Sequence, residues 1–121
     1  MAKVLIVDDS PTEIHVLTGM LEKHGIQCIS AESGEAGIAL ARSEHPDLIL
    51  MDIVMPGLNG FQVTRQLTRD PQTKDIPIII VSTKSQDTDK VWGLRQGAKD
   101  YLAKPVTESD LVAKVRALLG D

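Results

Sequence analysis

The chain has 121 residues, enough for one domain with its own core and too few for a second of ordinary size. Hydrophobic residues make up 42% and charged residues 25%, and the formal charge of −4 is spread without a basic stripe, which speaks against a nucleic-acid partner. One cysteine, Cys28, excludes a disulfide framework, and no apolar run is long enough to span a bilayer.

Lys3–Val7, rich in Val and Ile, predicts a first strand. It starts so early that no signal peptide fits before it, so a cytoplasmic location is expected. Ser10-Pro11-Thr12-Glu13 has the form of a capping box with proline at the first helical position. Ile14, Leu17 and Leu21 give that helix its inward stripe, and Gly25 ends it. Residues 26–30 predict a second strand, with Cys28 as a small buried thiol. Ser33 caps a helix carrying Ala36, Ile38, Ala39 and Leu40, which stops before His45-Pro46.

Residues 47–51 predict a third strand, nearly all apolar. Asn59 caps a helix with Val63 and Leu67, ended by Asp70-Pro71. Residues 76–81 are Ile or Val except for Pro77 and predict a fourth strand. A fourth helix is expected over residues 85–96, with Val91 and Leu94 inward and Gly97 as its stop. Asp100–Ala103 predicts a short last strand, and Thr107 begins a helix with Leu111, Val115, Leu118 and Leu119. His15, His24 and His45 have no metal-ligand spacing and fit solvated helix surfaces.

Strands this apolar are buried on both faces, which implies a parallel sheet with helices on each side. Five β/α units are too few for an eight-fold barrel. The expectation is therefore a flavodoxin-like, doubly wound (βα)5 fold with strand order 2-1-3-4-5. In that topology the crevice lies outside the carboxyl ends of strands one and three. Asp8 and Asp9 in "VDDSP" end the first, and Asp52 in "LILMDIVMPG" ends the third.

Three carboxylates in one crevice cannot all stay ionised without a cation, and oxygen ligands suit Mg²⁺ better than zinc. A carboxylate beside such an ion can act as a nucleophile toward phosphorus. Ser82 offers a hydroxyl past strand four, and Lys104 an ammonium past strand five, to the same crevice. Taken singly, an aspartate at a strand–helix junction is more often a turn former than a catalyst. The combination at four strand ends is what points to phosphoryl chemistry.

The segments "LIVDDSP", "LILMDIVMPGLNG", "IIIVSTK" and "GAKDYLAKP" resemble the receiver domain of two-component response regulators, the chemotaxis-type (CheY-like) family, over essentially the whole chain. "MDIVMPGLNGFQ" and "DKVWGLRQGAKDYL" are similar to the stand-alone receivers of type IV pilus twitching-motility systems, the PilH type. The resemblance implies that Asp52 is the phosphoacceptor, Asp9 a direct Mg²⁺ ligand and Asp8 an acidic partner acting through water. The backbone carbonyl of Val54 would complete the protein ligands. Ser82 matches the switch hydroxyl, Tyr101 the aromatic switch and Lys104 the phosphate-contacting lysine. The Lys104-Pro105 bond is expected to be cis. Phosphorylation would draw in Ser82 and open space into which Tyr101 turns.

Val54 and Lys84 occupy the positions that tune hydrolysis of the phosphoaspartate in this family. Val54 has no polar group to orient a water. Trp92 falls between Val91 and Leu94 in the helical register. Rim packing and a partner anchor are both open to it, and with Tyr101 it is a candidate for a partner-binding face.

The resemblance further implies one receiver domain over residues 1–121 without an output domain, and a CheA-like histidine kinase as phosphodonor. A downstream motility protein would be contacted without membrane insertion. A monomer is expected, dimerisation through the fourth helix, fifth strand and fifth helix being the other option. Such a protein catalyses only its own phosphorylation and dephosphorylation. A phosphate sink for the kinase is the alternative within the family. A Mg²⁺-dependent phosphohydrolase is the alternative outside it, disfavoured because "DIVMPG" has no acid/base carboxylate two residues after Asp52.

Overall fold

The computed structural model describes residues 2–120, and its strands and helices alternate along the chain. They are β1 (Lys3–Val7), α1 (Pro11–Glu22), β2 (Gln27–Ala31), α2 (Gly34–Glu44), β3 (Leu48–Met51), α3 (Gly60–Arg69), β4 (Ile78–Ser82), α4 (Asp87–Arg95), β5 (Asp100–Ala103) and α5 (Glu108–Leu119). All strand pairs are parallel and the order is β2-β1-β3-β4-β5, as the sequence predicts.

Side chains alternate across each strand, and in the central strands β1, β3 and β4 both faces are buried, whereas the edge strands β2 and β5 are partly exposed. On one side Leu5, Val7, Ile49, Met51 and Ile80 pack with Ile38 and Ala41 of α2 and Val63 and Leu67 of α3. On the other side Val4, Ile6, Leu50 and Val81 meet Leu17 and Leu21 of α1 and Leu111, Val112 and Val115 of α5. Among the described residues no helix is long and apolar enough to cross a membrane.

The helix starts follow the expected caps. Ser10, Ser33 and Thr107 side-chain oxygens accept the backbone N–H of Glu13, Ala36 and Asp110 at 3.1–3.2 Å. Asn59 and Gln62 form a reciprocal capping box. At α1 only the Ser10 half of the box forms, because the Glu13 carboxylate lies toward Lys104 instead.

Several boundaries shift. β2 begins one residue late, and Ile26 is buried just before it. Asp47 precedes β3 rather than starting it, since its side chain accepts the Lys3 N–H. Pro77 lies outside β4, and Ser82 is the last residue of that strand rather than one beyond it. Ala36 and Ala39 face solvent, while Gly34, Gly37, Ile38 and Ala41 form the buried side of α2.

The larger correction concerns α4, which is shorter than expected and turned the other way. Val91 and Leu94 are about half exposed, as is Trp92, and Gly93 is the buried residue. A Cβ at Gly93 would sit 2.7 Å from Cδ1 of Ile80 and 3.0 Å from Cδ2 of Tyr101. The helix therefore seats its bare backbone on the sheet, and no bulky side chain fits on that side. Apolar periodicity misleads where contact is made by a missing side chain.

Candidate functional site

Register builds the site. Val7 pairs with Met51, so the residues that follow, Asp8 and Asp52, emerge side by side at the carboxyl ends of β1 and β3. The Asp52 N–H continues the ladder to the Val7 carbonyl at 2.9 Å, and the Asp8 N–H bonds Ala31 at 3.1 Å. On the other flank Ser82 pairs with Ala103, and the Lys104 N–H bonds the Ser82 carbonyl at 2.9 Å. The peptide bond from Lys104 to Pro105 is cis, as expected.

Asp8 and Asp52 are buried and Asp9 is exposed at the mouth of the crevice. Each offers an oxygen, and these oxygens lie within 4.8 Å of one another. Such an all-carboxylate set, with no His or Cys in it, suits a hard, oxygen-seeking cation, so the cluster could hold a divalent metal ion. Asp8 already has two partners: the Ser10 N–H at 2.9 Å, which fixes the turn into α1, and Lys104 Nζ at 2.8 Å. Lys104 also reaches Asp52 at 3.5 Å and Glu13 at 3.7 Å.

Burial pushes the Asp52 carboxyl up to about 6, and the neighbouring Asp8 adds to the rise against the pull of Lys104. Burial acts to lower the Lys104 ammonium. The hydrogen bond to Asp8 and the charges of Asp52, Asp8 and Glu13 outweigh it, so the group stays above its ordinary value. The crevice thus carries an excess of negative charge that one lysine only partly offsets.

Ser82 is fully buried, and its Oγ accepts the Lys84 N–H at 3.1 Å. The Tyr101 hydroxyl donates to the Lys84 carbonyl. Both residues singled out as switches are therefore tied to one peptide segment, a link that spacing in the sequence does not reveal. Tyr101 is only 8% exposed, so its ring already occupies the inward position and lies beneath α4 rather than on an exposed partner face. Its hydroxyl titrates above the ordinary range because of burial and the nearby Asp89 carboxylate.

Lys84 directs its ammonium to Asp89 at 3.7 Å. Val54 is 60% exposed beside the crevice, whereas Trp92 lies on the outer side of α4, apart from the carboxylates. Glu13 is the residue that sequence reasoning missed. Its place three residues after Ser10 marked it as a cap, and only the fold brings it to Lys104.

Comparison with known proteins gives the same picture. The family model described as "Response regulator receiver domain" matches residues 4–116. Protein PilH of Pseudomonas aeruginosa is 66% identical over 120 residues, covering 99% of both chains. The phosphate regulon transcriptional regulatory protein PhoB of the same organism is 40% identical over 116 residues, which is 96% of this chain and 51% of PhoB. The crystal structure of the Vibrio cholerae chemotaxis protein CheY4 has a TM-score of 0.91 at 30% identity, covering 98% of each chain. A putative response regulator from Chloroflexus aurantiacus reaches 0.94 at 32% identity, covering 99% of this chain and 98% of the other. With an acidic crevice, a lysine and a hydroxyl at four parallel strand ends, and with these relatives along nearly its full length, the chain belongs to the response regulator receiver domain family.

Proposed function

We propose that this chain is a single-domain, cytoplasmic response regulator that accepts a phosphoryl group on Asp52 from a CheA-like histidine kinase and signals by protein contact in type IV pilus motility. The observation that carries the reading is the placement of Asp52 beside Asp8 and Asp9 with the Lys104 ammonium 3.5 Å away. The motility assignment rests on the 66% identity to PilH.

In the proposed reaction a carboxylate oxygen of Asp52 attacks phosphorus in line. The P–N bond to the donor histidine breaks and the imidazole leaves with the electron pair. Asp8, Asp9, Asp52 and the Val54 carbonyl would hold Mg²⁺, which when bound supplies positive charge for the phosphoryl oxygens. Lys104, held by Asp8, is oriented to donate to one of those oxygens, so positioning and electrostatics do most of the catalysis. No further catalysis than this self-phosphorylation and its reversal by hydrolysis is proposed.

A phosphoryl oxygen would accept the Ser82 O–H, and drawing Oγ toward the phosphoryl group would lengthen the bond it now accepts from the Lys84 N–H. Because Tyr101 holds the same residue by its carbonyl, the change is passed to the segment that leads into α4. The modification then biases the population of α4 and β5 conformations rather than creating a new one. Trp92, exposed with Val91 and Leu94, is the contact surface this bias would present.

The decisive experiment is phosphotransfer from a candidate kinase to wild type and to Asp52→Ala. Wild type takes up label to a stoichiometric limit and Asp52→Ala takes up none. Equal labelling of the two would mean that another residue is the acceptor.

A further inference from the structure

Away from the acceptor crevice, a cleft of about 620 Å³ opens between α2 and α3. Three arginines line it: Arg42 from α2, and Arg65 and Arg69 one turn apart on α3. Asp70 is the carboxylate in the lining, and it is already engaged by Arg42 Nε at 2.7 Å and by the Gln72 N–H at 2.9 Å. Among the described residues Arg65 and Arg69 make no ion pair. A chain of formal charge −4 therefore concentrates two uncompensated guanidinium groups in one concavity.

Helix ends explain part of this. Arg42 and Arg69 lie in the last turns of α2 and α3, where a cation complements the macrodipole. Arg65 gains nothing from that effect. Its placement four residues before Arg69 sets like charges side by side, which is unfavourable until an anion bridges them. Guanidinium groups so placed suit phosphate oxygens, which they can hold bidentately.

The rest of the lining narrows the class of ligand. Leu58 and Pro71 supply apolar wall. Gln62 uses its side-chain oxygen on the Asn59 N–H, which leaves its amide NH₂ free to donate, and Gln66 offers a second amide. The volume falls in the range of about 300–1,000 Å³ typical of small-molecule sites. An extended acidic peptide would call for basic residues strung along a face, not gathered on one cleft.

We propose that the α2–α3 cleft binds a small phosphorylated ligand of nucleoside diphosphate size, with its phosphates on Arg65 and Arg69 and its ring against Leu58 and Pro71. Leu58 belongs to the segment between Asp52 and α3, and its N–H bonds Glu35 of α2, so occupancy of the cleft adjoins the acceptor strand's exit.

The test is a titration of the whole protein with ADP in EDTA, followed by backbone amide shifts. Saturable shifts are expected at Arg42 and over residues 62–70, with the amides of Asp8, Asp52 and Lys104 unmoved. The double variant Arg65→Gln/Arg69→Gln, both surface positions, should keep its fold and bind roughly tenfold or more weakly. Adenosine and inorganic phosphate should each bind more weakly than ADP. The proposal is overturned by the absence of saturable shifts at the cleft, or by undiminished binding in the double variant. Adenosine, phosphate or a short poly-glutamate peptide binding as tightly as ADP would overturn it equally.

Discussion

Asp52 is a buried carboxyl whose pKa is pushed up to about 6, chiefly by burial, and that has a stability consequence of definite sign. The folded state holds this proton more tightly than the unfolded chain, so ionising Asp52 disfavours the fold. The penalty is absent below the ordinary carboxyl range near 3.8, grows as pH rises to about 6, and is complete above it. Asp52→Asn should therefore be more stable than wild type at pH 7.5 in EDTA, by on the order of 1–3 kcal/mol, and the gain should fade on acidification toward pH ~4. Denaturant unfolding of both proteins at the two pH values checks this, and an unchanged difference would contradict it. In the proposed reaction Val54 would act on the product instead. Its apolar side chain cannot orient a water, so the phosphoaspartate should decay faster in Val54→Asn than in wild type, as followed by loss of label. Decay no faster in the variant would sink the idea.

Among the elements, α4 stands apart. α1 anchors Leu17 and Leu21 and α5 anchors Leu111, Val112 and Val115, whereas Gly93 is the one buried residue within α4. Few apolar contacts and an exposed outer side mean a low free energy for local opening. Native-state hydrogen exchange should find α4 amides less protected than those of α1 and α5, roughly 10-fold or more in rate, and equal protection would refute the argument. The same helix shows where sequence reading fails. Lys3–Val7 was legible to the residue because an apolar run bounded by polar residues marks a buried strand. Val91 and Leu94 carried an equally plain apolar signal and face outward, since the inward contact at Gly93 leaves no mark in hydrophobicity. Caps were readable at Ser33, Asn59 and Thr107 because they depend on neighbours three residues away. Glu13 was not, because its partner Lys104 is brought close only by tertiary structure.

At the scale of the whole molecule, the carboxylate cluster and the exposed apolar group of α4 are separated. The acidic crevice occupies one end of the sheet, and the exposed Val91, Trp92 and Leu94 lie on the outer side of a neighbouring helix. In the proposed signalling role the two communicate through Ser82, Lys84 and Tyr101. Trp92 is 48% exposed, so in the proposed role Trp92→Ala should leave the thermal midpoint nearly unchanged and weaken binding of the phosphorylated protein to a candidate motility partner by about 10-fold or more. Calorimetric titration beside a melting curve separates the outcomes, and unaltered binding would return Trp92 to a packing role. The crevice itself was legible in advance because five β/α units point to a doubly wound sheet whose common order is 2-1-3-4-5, and that order fixes which strand ends meet.

The pairing of Val7 with Met51 also bears on how the chain finds its alignment. A strand apolar on both faces gains little from alternation, so side-chain pattern alone would tolerate a slipped β1–β3 pair. The polar ends remove that freedom. At one end the Lys3 N–H meets the Asp47 carboxylate, and the Asp47 N–H meets the Lys3 carbonyl, each at 2.8 Å. At the other end a slip would draw Asp8 or Asp52 between hydrophobic layers, away from Lys104 and solvent. The carboxylates that make the site costly to assemble thus act as alignment marks, penalising every register except the one in which they can work.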